Sequence, residues 1–90
     1  MNNPRRKSLA ELASRVEDLM SEVESLKDDL QSLLDEEQEY YDNAPENLQY
    51  SSRYEASQEA IDNMQNAVDA LDEMDSTLQD VQSSIEAACE

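Results

Sequence analysis

The sequence predicts an all-α protein, two long antiparallel helices forming a coiled-coil-like helical hairpin that dimerises into a four-helix bundle. Three observations lead there. The 90-residue chain has no Gly, Trp, Phe or His and is rich in Ala, Leu, Glu, Asp, Gln and Ser, which suits helices and lacks the turn glycines that sheets use. Two stretches carry apolar residues at helical spacing. Between them residues 35–54, DEEQEYYDNAPENLQYSSRY, interrupt both patterns and hold every tyrosine: Tyr40, Tyr41, Tyr50 and Tyr54.

Residues 1–7 read as a disordered basic tail, with Pro4 delaying a helix start. Ser8-Leu9-Ala10-Glu11 then forms a capping box, in which Ser8 accepts from the Glu11 amide and the Glu11 side chain reaches back to the Ser8 amide. A single hairpin domain over 8–90 follows, with helix 1 over about 8–41. Its heptads place Leu9, Val16, Val23, Leu30 and Glu37 at a, and Leu12, Leu19, Leu26, Leu33 and Tyr40 at d. Ala13, Met20 and Leu34 at e widen the stripe to the three-position face of a bundle. Val at a with Leu at d also suits a parallel dimer, so the pattern leaves the partner helix open.

Asp42-Asn43-Ala44-Pro45 ends helix 1, because proline disfavours the helical conformation at Ala44; Asn43 and Pro45 also suit a short helical turn. The corner spans 42–52, and a second capping box, Ser52-Arg53-Tyr54-Glu55, opens helix 2 over about 53–87. Met64, Leu71, Leu78 and Ile85 form its core line, flanked first by Ile61 and Val68, later by Met74 and Val81. The drift is that of a nearly straight helix, since 3.6 residues per turn does not divide seven.

Placing Tyr40 opposite Tyr54 pairs Leu33 with Ile61, Leu30 with Met64, Leu26 with Val68, Val23 with Leu71, Val16 with Leu78 and Leu9 with Ile85. Two positions misfit. Leu19 would meet Asp75 and Leu12 would meet Gln82, so the register relaxes there toward Met74 and Val81, using Met20 and Ala13. The expected core and oligomer contacts are thus Val16, Leu19, Val23, Leu26, Leu30 and Leu33 on helix 1, with Ile61, Met64, Val68, Leu71, Leu78 and Ile85 on helix 2. Two helices alone leave their wide faces half covered, and such a strip marks an association surface. A homodimer is expected, with a monomer docked on a target as the alternative.

Composition excludes most chemistry. No apolar run approaches the ~20 residues of a membrane span, and none follows Arg5-Arg6-Lys7, so a soluble, intracellular chain is expected. Cys89 stands alone; a reduced thiol is expected, dimer crosslinking being the sharper reading. There is no histidine, Gly-rich loop, Cys-x-x-Cys pair or calcium loop, so no catalytic residue, cofactor or metal ligand is expected. Neighbouring acids such as Asp28-Asp29 or Asp72-Glu73 point about 100° apart on a helix, which makes them solvated faces before active sites.

Net charge is −17, and its placement is uneven. Residues 1–27 carry five basic and five acidic side chains, whereas residues 28–90 carry 18 acids against Arg53 alone. Nucleic acid and anionic membranes are disfavoured as direct ligands, and a basic partner surface is favoured. Glu55, Glu59, Asp62, Asp69, Glu73 and Asp80 share an outer face of helix 2, with no lysine to relieve like charges at i,i+4. Successive turns set carboxylates about 5–6 Å apart, and a DNA strand advances one phosphate per roughly 3.4 Å, so such rows can imitate a nucleic-acid backbone. A face that only aids solubility is the alternative. At the corner Glu36, Glu37, Glu39, Asp42 and Glu46 add charge. Tyr40 and Tyr54 lie on the stripe as a plug; Tyr41 and Tyr50 lie off it as candidate partner contacts.

The stretch from Glu36 to Leu71 resembles a group of small acidic helical proteins of phages and mobile elements. In that group an acidic helix end is followed by Asp-Asn-x-Pro-Glu-x-Leu-Gln, then Ser-x-Arg and a second acidic helix. The matching residues are Asp42, Asn43, Pro45, Glu46, Leu48, Gln49, Ser51 or Ser52, and Arg53. The resemblance implies no enzyme activity and no agreed function; it favours the reading as an inhibitor of a host defence or DNA/RNA-handling protein without naming a target. The rival reading is a structural coiled coil, such as a virion or scaffold component.

Overall fold

The computed structural model describes residues 2–45 and 52–89, with the side chain of Ser52 excepted. Helix α1 spans Asn3–Asp42 and helix α2 spans Ser52–Cys89; the described residues contain no strand. The helices run antiparallel side by side. Tyr41 stacks on Tyr54 at the corner end, and 83 positions apart in sequence the Cys89 thiol approaches the Arg6 carbonyl at the other end, 4.0 Å away. The result is a rod of 70 × 14 × 14 Å with a radius of gyration of 20.2 Å. A compact chain of this length would measure about 12 Å.

Helix α1 starts five residues earlier than the Ser8 box implies. Asn2 is extended, with φ −76° and ψ 159°, and its side-chain oxygen accepts from the Arg5 amide at 2.8 Å. Pro4 falls in the first turn, where its missing N–H leaves no bond unmade and its fixed φ suits the helix. Ser8 is therefore an interior residue whose hydroxyl donates back to the Pro4 carbonyl at 3.1 Å. The basic residues Arg5, Arg6 and Lys7, expected in a disordered tail, are helical.

At the other end Asn43 closes the helix instead of opening a new turn. Its backbone N–H donates to Glu39 O at 3.0 Å and its side-chain amide to the same oxygen at 2.9 Å. The corner motif beyond Pro45, including Glu46, Leu48, Gln49, Tyr50 and Ser51, lies outside the described residues. Helix α2 starts at Ser52 and ends at Cys89, one and two residues beyond the expected bounds.

The core is a thin seam. Among the described residues Val16, Val23, Leu34 and Val68 are the buried apolar side chains, and no large side chain is fully buried. Leu9, Ala13, Met20 and Leu30 on α1, and Ile61, Met64, Leu71, Leu78 and Ile85 on α2, are half-buried around them. On α1 these residues belong to a and e. The d row, expected in the core, faces away: Leu19, Leu26 and Leu33 are 54%, 50% and 56% exposed, and Leu12 and Tyr40 are exposed with them. Tyr41 takes the place expected of Tyr40 against Tyr54, their ring centroids 4.1 Å apart and planes 12° apart.

The cause lies on α2. Asp75 and Gln82 are half-buried on its contact line, and an a/d seam would set Leu19 and Leu12 against them. Rolling α1 by about 50° moves those leucines aside and brings in Met20, Ala13 and the Lys27 stem. Polar groups near the seam then find partners: Lys27 reaches Asp72 at 2.8 Å and Gln82 donates to Glu17 at 2.9 Å. Leu34→Ala is expected to cost about 2 kcal/mol or more in urea unfolding, because it empties the thickest part of this seam. Asp28→Ala, on an exposed position, is expected to stay within about 0.5 kcal/mol.

Candidate binding surfaces

The rod has two unlike long sides, and the interhelical bonds tell them apart. Lys27 to Asp72 and Gln82 to Glu17 both run along one side. Outward from it stand Asp62, Asp69, Glu73 and Asp80, and nearer the corner Glu55 and Glu59, all exposed. Lys27 is also 3.8 Å from Glu24. Its pKa is raised above the usual 10.5, first by the hydrogen bond to Asp72 and then by the charges of Asp72 and Glu24.

With cations scarce, glutamine amides supply local relief. Gln31 donates to Asp35, Gln38 to Asp42, Gln65 to Asp69 and Gln79 to Asp75, each across one helical turn at 2.9–3.0 Å. Such pairs support a helix by a few tenths of a kcal/mol without neutralising the carboxylate. The side therefore stays acidic while its helices stay intact.

The opposite side is apolar. On α1 it carries Leu12, Leu19, Leu26, Leu33 and Tyr40 at seven-residue intervals. Asp72 lies on the Lys27 side of α2, so the α2 row across the contact line is Ala60, Ala67, Met74, Val81 and Ala88, also seven apart. Met74 and Val81 are exposed like the leucines beside them. Leu12, Met74 and Val81 were expected to meet inside the hairpin where the register relaxes; they lie instead on this exposed side.

The corner separates the remaining candidates. Glu37 is half-buried because it accepts a hydrogen bond from the buried Ser57 hydroxyl, and Tyr41 is half-buried in its stack, so neither is presented to a partner as expected. Position a faces α2 in either rotation, which seats Glu37, and the roll of α1 turns Tyr41 at e inward. Glu36, Glu39 and Asp42 are exposed. Glu36 and Glu39 line a cavity of about 590 Å³ together with Tyr40, Asn43, Ala44, Pro45, Arg53 and Tyr54. Glu46 and Tyr50 lie outside the described residues.

Among the described residues no group of three or more acidic or thiol side chains is arranged to hold a metal ion, and no helix is long and apolar enough to cross a membrane. The Tyr54 phenol is pushed up to about 12 by its hydrogen bond with Tyr41, by burial, and by the nearby Tyr41 and Asp42 charges. A raised folded-state pKa stabilises the fold fully below the unfolded value near 10 and loses that contribution as pH climbs to about 12. Melting temperature is accordingly expected to fall between pH 10 and 12, and Tyr54→Phe to flatten that part of the profile; an unchanged slope in the variant overturns the assignment.

No known protein family, curated protein or solved structure matches the chain.

Proposed function

We propose that the protein is a noncatalytic acidic binding protein whose carboxylate side occludes a basic, nucleic-acid-binding surface of a host protein. The observation that carries this reading is the segregation of the α2 acids to one side of a long rod. Helix α2 holds nine acids and one arginine, its exposed acids share the side marked by Lys27–Asp72, and glutamine bonds preserve their charge. A chain needing acids only for solubility gains nothing by gathering them on one side.

The rod also has a suitable reach. At roughly 3.4 Å per base pair, 70 Å matches about 20 base pairs of duplex, enough to fill an extended basic groove. That geometry supports imitation of a nucleic-acid backbone. The likeness of the corner motif to small acidic phage proteins points the same way, toward a host defence or DNA/RNA-handling target in the bacterial cytoplasm. A second reading, in which oligomerisation is itself the function as in a scaffold component, draws on the exposed Leu12–Leu33 row.

The immobilised chain is expected to retain nucleic-acid-binding proteins from a bacterial lysate and to release them to a short DNA duplex or to rising salt. Replacing Asp69, Glu73 and Asp80 together by their amides is expected to weaken capture about tenfold or more while helix content holds. Retention that neither DNA nor salt reverses overturns the proposal and favours the scaffold reading.

A further inference from the structure

We infer that the apolar side is the interface of a two-fold dimer in which α1 packs antiparallel on α1 of a second copy, and α2 on α2, closing a four-helix bundle. The surface area calls for such a partner. A compact chain of 10.2 kDa exposes about 5,300 Å², whereas the hairpin exposes 6619 Å². The excess of about 1,300 Å² exceeds the roughly 800 Å² that each partner contributes to a stable interface of standard size. Among the described residues the seam has four buried apolar side chains, which is correspondingly thin.

Charge chooses the second copy and its direction. The first turns of α1 carry Arg5, Arg6, Lys7 and Arg15 against Glu11, while its last two turns carry Asp35, Glu36, Glu37, Glu39 and Asp42 with no cation. Both ends oppose the helix's own macrodipole, which favours acids at the start and bases at the end. An antiparallel copy of α1 lays the basic end on the acidic end twice over and relieves both. A parallel copy sets like charge on like. Stacking α1 on α2 of the second copy offers those five acids a single cation, Arg53.

Side-chain spacing agrees with that choice. With the two-fold axis between Leu19 and Leu26, Leu19 lies over Leu26 of the second copy, Leu12 over Leu33, and Arg15 beside Asp29. The corner contacts place this axis within about half a helical turn of Met74 on α2, which then meets its own counterpart, with Ala67 over Val81. The α2 row at the rim, Ala56, Asn63, Ala70, Thr77 and Ser84, is exposed and uncharged, so α2 approaches its copy without repulsion despite its acidity. The acidic sides remain outward on both faces of the bundle.

Sedimentation equilibrium of the full chain is expected to give twice 10.2 kDa. Leu19→Glu with Leu26→Glu, both exposed in the single hairpin, should yield a helical monomer. Arg15→Glu should weaken association about tenfold, and Arg15→Glu with Asp29→Arg should restore it. In a Cys89→Ser background, Leu12→Cys mixed with Leu33→Cys should form an interchain disulfide, and Leu12→Cys alone should not. A monomeric wild-type chain up to submillimolar concentration, a dimer indifferent to the glutamates, or crosslinking of Leu12→Cys with itself overturns the inference.

Discussion

Two helices side by side touch along one line each, and that limit shapes everything else in this molecule. The apolar arc of α1, from d through a to e, spans about 100°, wider than the strip α2 alone covers. One edge of the arc has to face elsewhere. Because α2 places Asp75 and Gln82 on its contact line, the edge that turns inward is Ala13, Met20, Lys27, Leu34 and Tyr41. The roll that seats Leu34 also aims Lys27 at Asp72, stacks Tyr41 on Tyr54 and sets the d leucines outward.

Charge follows from the same roll. The side marked by Lys27 and Glu17 becomes the acidic one, and the side opposite is left with leucine, alanine, methionine and valine. A net charge of −17 on so slender a rod is self-repulsive, and screening by salt lessens that repulsion. Glutamine-to-aspartate bonds let the helices persist without cations, which keeps the carboxylates available to a basic partner. A side with an apolar row and a side crowded with carboxylates on one rod suit two different kinds of association at once.

Much of this was legible in the order of residues. Heptads, the absence of glycine and the proline at the corner set two helices and an antiparallel hairpin, and the pairs Val16–Leu78, Val23–Leu71 and Leu30–Met64 fit the half-buried and buried positions found. The start of α1 was misread at Ser8, because Asn2 caps equally well and Pro4 is as much a first-turn residue as a breaker. Two candidate contacts, Glu37 and Tyr41, turned out to serve the corner itself.

The sequence by itself determined which residues are apolar, how they repeat and where the acids cluster, because helical periodicity is a local property of the chain. Only the tertiary structure decided which edge of the α1 stripe meets α2. Rows at d and e flank the same a row, and within α1 alone the more apolar d row is the one that reads as the seam. Asp75, Gln82 and Asp72 overrule that reading from across the contact, by making one rotation satisfy polar groups that the other would set against leucine.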